Sequence, residues 1–151
     1  MSNAGGTGSL GTQPTATLTV GNDDAPVLLT EELTEHGIAL DLVTQTRDPF
    51  SLTNPLNLGD DQRRRVSLFV WHLGLLPSDT VASVQVAARD GEGRIYDLPV
   101  EGLNPMATVA DITQVVVRLP DNVIGAPRDF WVKVTLRGPG SNEAFIKIAA
   151  P

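Results

Sequence analysis

The chain contains no cysteine. That excludes disulfides, thiolate zinc sites, iron–sulfur clusters and a cysteine nucleophile. Only two histidines are present, so a histidine-based metal site or catalytic triad has little to draw on. No apolar run approaches the ~20 residues of a membrane-spanning helix, and there is no secretory h-region. Positive charge is also scarce: 11 Lys and Arg stand against 18 Asp and Glu, giving a net charge of −7 and a pI of about 4.6. Such a surface repels phosphate backbones and anionic lipid, which argues against nucleic-acid partners and membrane insertion. The one basic run, Arg63 to Arg65, directly follows Asp60 and Asp61 and reads as a solvated loop that those aspartates neutralise.

What the chain does have is β-branched residues and turn formers. Of 151 residues, 41% are hydrophobic and 19% charged, a globular profile rather than a disordered one. A chain of this length is one domain with or without a linker, and it buries roughly 70% of its unfolded surface without a staple. The opening "MSNAGGTGS" resembles the scar of tag cleavage, and residues 1–12 are read as a flexible leader. Residues 13–26 carry one alternating stretch, Thr15 to Val20, and are read as a linker or stray strand; the domain then occupies 27–151.

Within 27–151 the period is two. "TEELTEHG" predicts one short helical turn capped by Thr30 and ended by Gly37. "IALDLVT" is expected to turn Ile38, Leu40 and Leu42 to one face. "RVSLFVWHL" is apolar on both faces, with Val66, Leu68, Val70 and His72 on one and Trp71 as the natural centrepiece of the core. "VASVQVAARD" and "RIYDLPV" flank the Asp-Gly turn at Asp90 to Gly93. "TQVVVRLP" buries Val115, Val117 and Leu119. "WVKVTLRGPGSNEAFIKI" closes the chain as a hairpin. This makes about seven strands after Ile38 and no helix long enough for a crossover, so the fold predicted is all-β: an Ig-like or fibronectin III-like two-sheet β-sandwich, which strand spacing alone does not separate from a small barrel.

Several of these stretches together, "ALDLVTQTRDPF" and "TQVVVRLP…VTLRGPGSN" above all, resemble a C-terminal Ig-like module that recurs in very large exported proteins of soil bacteria. The resemblance covers about Val27 to Ile148. It implies a secreted or cell-surface setting, a parent protein with neighbouring domains, and a spacer, cap or adhesion role; it supplies no catalytic residues. "LGTQPTATLTVGNDD" resembles the last strand and acidic exit of a Calx-beta repeat, a class whose acidic loops bind calcium.

The candidate sites are accordingly few. Asn22, Asp23 and Asp24 offer hard oxygens that suit calcium, the one cofactor considered, with Asp60 and Asp61 as further ligands. Glu32 and His36 share a helix face if the predicted turn forms, but two ligands do not make a zinc site. No nucleophile motif or phosphate-cradling loop occurs, so no enzyme activity is expected. The hairpin places Phe130, Val132, Val134 and Leu136 inward and Trp131, Lys133, Phe145 and Lys147 outward, with Thr135 expected opposite Phe145 and Lys133 opposite Lys147. That strip is a candidate glycan- or protein-binding face; otherwise its rings cover a seam within the chain or with a neighbour. A free edge strand would allow a weak dimer in place of a monomer.

Overall fold

The structure, a computed structural model, describes residues 25–121, 123, 128–138 and 140–149. The leader, the Thr15–Val20 stretch and the acidic exit at Asn22, Asp23 and Asp24 lie outside the described residues.

Nine strands form in the described residues: β1 (Val27–Leu28), β2 (Ala39–Asp41), β3 (Arg65–Trp71), β4 (Val84–Arg89), β5 (Ile95–Asp97), β6 (Val100–Pro105), β7 (Ile112–Arg118), β8 (Arg128–Leu136) and β9 (Ala144–Ile148). One sheet has the order β9-β8-β4-β5. The other has β1-β3-β7-β6, with β2 also paired to β3 beyond the end of β1. All named pairings are antiparallel. Taking β1 and β2 as strand A and the rest in sequence, these are the A-B-E-D and G-F-C-C′ sheets of an Ig-like sandwich.

The core lies between the sheets and follows the period-two pattern. Val66, Leu68 and Val70 of β3 and Val115 and Val117 of β7 face Val84, Val86 and Ala88 of β4, Phe130, Val132, Val134 and Leu136 of β8, and Ala144, Ile146 and Ile148 of β9; all are buried. Burying one such side chain contributes about 1.5–3 kcal/mol.

Three expectations change, and the buried face of β2 is decided. Trp71 is 42% exposed, because Val66, Leu68 and Val70 take the inner face and strand alternation sends Trp71 outward. Phe130 and Phe50 fill the core instead, and Tyr96 stacks on Phe130 at 5.0 Å between centroids. β2 alternates as expected, and the face it buries is that of Ala39 and Asp41, while Leu42 is exposed. No helical turn forms at Thr30 to Gly37; a tight loop does, with Leu33 at φ 62° and the Glu31 amide donating to the His36 carbonyl at 2.9 Å. Finally, "RIYDLPV" is two strands. The Leu98 amide donates to the Val86 carbonyl at 2.9 Å, Pro99 has no N–H to continue the ladder, and the chain crosses from β5 in one sheet to β6 in the other. Eight strands therefore follow Ile38 rather than seven.

The C-terminal hairpin and its clasp

The hairpin's inward row is as expected, but its register is not. Phe145 lies opposite Trp131, Ala144 opposite Val132 and Lys147 opposite Asp129. The turn closes sooner than a five-residue Gly-Pro-Gly-Ser-Asn loop would allow: Thr135 bridges Gly140, and Ser141 pairs with Val134. The Ser141 amide donates to the Val134 carbonyl at 2.7 Å, and its hydroxyl accepts from the Val134 amide at 2.9 Å. Arg137 (φ 52°) and Gly138 (φ 103°) carry the left-handed backbone, so Gly138 rather than Gly140 is where the turn requires glycine. At Gly140 a Cβ would press on Lys133 Cε, because the lysine stem lies across it.

The new register brings Trp131 and Phe145 together, centroids 5.3 Å apart and planes at 60°. Both rings are half-buried. His36 lies flat on Phe145 at 4.9 Å and 7°, and the Lys147 ammonium sits 5.1 Å from the same ring's centroid. Lys147 also reaches Asp129 at 3.2 Å. Lys133 stands one row away, opposite Ala87 of β4, and does not join the cluster. Beside Trp131, Arg89 is held by Glu143 at 2.8 Å.

His36 is fixed from both sides. Nδ1 bonds Glu31 Oε2 at 3.0 Å and Nε2 bonds Asp48 Oδ2 at 2.7 Å. With both ring nitrogens taken by carboxylates, none is left to act as a base toward a hydroxyl nucleophile. Glu31 in turn holds Arg47 at 2.8 Å. The Arg47 bond, followed by His36, keeps the Glu31 carboxyl below its ordinary pKa despite partial burial. Glu32 is exposed and takes no part, so the Glu32–His36 pair does not form.

The clasp extends along the whole of β9. The Leu28 amide donates to Asn142 Oδ1 at 2.8 Å, and Asn142 Nδ2 donates back to the Leu28 carbonyl at 3.1 Å. The Phe145 amide donates to Glu35 and the Gly37 amide to Phe145, at 2.9 and 2.7 Å. The Lys147 amide donates to Asp48 Oδ2 at 2.8 Å. The Phe50 amide donates to Lys147 and the Ala149 amide to Phe50, each at 2.9 Å. The bridges His36–Phe145 and Phe50–Ile148 are parallel. The edge of β9 is thus covered by the chain's own earlier residues; β5 and β6 form the outer edges on the opposite side.

The arginine run is consumed internally. Arg64 reaches the buried Asp41, which also accepts the amides of Val43 and Thr44 at 2.8 and 2.7 Å. Burial opposes charge on Asp41, but those amides and Arg64 outweigh it and hold the carboxyl below its ordinary value. Arg63, Arg65 and Arg118 converge on Asp61 at 2.8, 3.1 and 3.4 Å, and Arg63 chiefly pushes that carboxyl well down. A bulge between Val100 and Gly102 in β6 lets Glu101 reach Arg65 and Arg118, each at 3.0 Å. Asp61 is therefore engaged with arginines and is not free to complete a calcium site with Asn22, Asp23 and Asp24. Among the described residues, no three His, Asp or Glu are grouped to hold a metal.

The opposite end of the sandwich carries a cleft of about 900 Å³ between the loops after β3, β6 and β8. Its walls include Pro26, Leu73, Leu76, Met106, Ile112 and Leu136. His72, Gly74, Asp111 and Arg137 around it all have left-handed backbone. The His72 amide donates to the Asp111 carbonyl at 3.0 Å, and Arg137 bonds Asp79 and the Gly74 carbonyl. His72 is therefore a rim residue, with its ring tilted on Trp71 at 3.7 Å.

Sequence reasoning missed His36, Asp48, Phe50 and Asn142 as a group. They are scattered over more than ninety positions, and no local pattern links them. No protein-family model, curated sequence or solved structure matches this chain.

Proposed function

We propose that the chain is a non-catalytic structural and interaction module of a large exported bacterial protein, secreted or on the cell surface, set in series with neighbouring domains that it spaces, caps or helps to adhere. The observation that carries this reading is where the chain enters and leaves. Pro26 stands in the cleft beside the loops after β3 and β8, whereas Ala149 leaves past Phe50 and the start of β8. β8 runs nine residues between those ends, ~30 Å at ~3.3 Å per residue. A unit entered at one end and left at the other extends a chain of domains without folding it back. The resemblance to Ig-like modules of large exported proteins points the same way.

Two copies of the chain joined head to tail test this. Small-angle scattering should give an elongated particle of roughly twice the single module's length. A compact, folded-back particle would overturn the reading.

A second reading rests on the half-exposed Trp131 with Lys133 and Lys147 nearby: a glycan- or protein-binding face. Phe145 already has His36, Trp131 and Lys147 as neighbours, which favours the structural reading. Saturable binding on a glycan array, lost in Trp131→Ala, would replace the first reading by the second.

A further inference from the structure

We propose that β9 and the earlier residues laid along it form a shear clamp, by which the module bears tension applied through its two ends. The proposal rests on the series arrangement above and names the device that such an arrangement loads.

The geometry is specific. Seven hydrogen bonds join residues 28, 35, 37, 48 and 50 to residues 142, 145, 147 and 149. Going from Leu28 to Phe50 the partner moves from Asn142 to Ala149, so both segments travel down the sandwich in the same direction. Both bridges between them are parallel. Pro26 stands at the cleft end of this pair of segments and Ala149 at the other end. Force on those ends slides one segment along the other.

Sliding loads the bonds together. If the two segments ran antiparallel with both ends at one side, the same force would peel the bonds apart one at a time, each failing at a fraction of the load. The clamp is also keyed. His36 stacks on Phe145 and is pinned by Glu31 and Asp48, so the step from Glu35 to Gly37 cannot slip along β9 without unstacking the rings and breaking both ring bonds. Asp48 serves both sides, taking the His36 ring and the Lys147 amide with the same oxygen. Phe50, buried beside Ile148, anchors the lower end.

Forced unfolding is governed by the barrier along the direction pulled rather than by equilibrium stability. The test is therefore direction. The full chain is held in a single-molecule force instrument by its two termini, and separately by its N-terminus and a cysteine placed at the exposed Ser78, at the same end of the sandwich as Pro26. The same folded protein is pulled in both cases, so stability is common to both. We expect the termini-loaded geometry to need at least about twofold higher force at equal loading rate. Asn142→Ala, which removes two of the bonds at an exposed position, should lower the termini-loaded force, where the bonds act together, by more than the Ser78 force, where they peel singly. Equal forces in the two directions, or an Asn142→Ala effect of the same size in both, would overturn the clamp. Either result leaves the scattering test of the series arrangement standing.

Discussion

The imidazole of His36 lies flat against the ring of Phe145, centroids 4.9 Å apart and planes 7° apart, although 108 residues separate them in sequence. The contact joins the loop after β1 to the last strand and explains why β9 is not an open edge. His36→Ala should destabilise the fold by about 1–2 kcal/mol, from the lost stack and from a buried Asp48 that loses a partner. In a double-mutant cycle with Phe145→Leu, urea unfolding should show a coupling of about 0.5–1.5 kcal/mol. Additive effects would show that the stack contributes nothing.

Asp41 is 1% exposed at its side chain and paired with Arg64. Removing one partner of such a pair leaves the other uncompensated, so Asp41→Ala should cost about 3 kcal/mol, whereas exchanging both residues for apolar ones should cost much less. Chemical denaturation of the single and double variants checks this; equal losses would mean that the pair is not the source.

Acid should weaken the fold through its engaged carboxylates. Burial opposes charge on Asp90, but the amides of Arg94 and Glu92 and then the side chains of Arg94 and Tyr96 overcome it and lower its pKa from 3.8 to about 2. Asp41, Asp61, Asp79 and Glu31 are lowered too. A carboxylate whose folded pKa lies below its unfolded one contributes stability that is fully present above the unfolded value and is lost as pH falls toward the folded value. The melting midpoint should therefore hold above about pH 5 and fall steadily between about pH 4 and 2. Asp90→Asn should flatten part of that fall; an unaltered profile would remove Asp90 from the account.

Calcium should leave the melting midpoint unchanged at millimolar concentration, with a chelator as control. Asp61 is committed to Arg63, Arg65 and Arg118, so the acidic exit at Asn22, Asp23 and Asp24 lacks that partner. A rise of several degrees, reversed by chelator and abolished in Asp23→Asn with Asp24→Asn, would instead show native-state binding there.

In the last turn, Gly138→Ala should cost about 1 kcal/mol, because φ of 103° strains any side chain even though the space beside it is open. Gly140→Ala meets chiefly the flexible end of Lys133, with Thr135 Oγ1 at 3.4 Å, and should cost under ~0.5 kcal/mol. Thermal melts of the two variants would reverse the assignment if Gly140→Ala were the more damaging.

By itself the sequence determined the strand class and the inward rows of β3, β4, β7, β8 and β9. Each rests on a period of two between neighbours, and the hydrophobic effect acts on that period wherever one sheet covers another. The tertiary structure decided what depends on partners far along the chain. Asp41 is turned inward because Arg64 and two amides await it, against the apolar claim of Leu42. Trp71, the bulkiest residue of β3, lies outside because its neighbours Val66, Leu68 and Val70 hold the inner face. The hairpin slipped from its expected register because Ser141 closes the turn, and that slip set Phe145 opposite Trp131 and onto His36. Local alternation fixes which way a side chain points, whereas a bond between residues a hundred positions apart exists only once the intervening chain has folded.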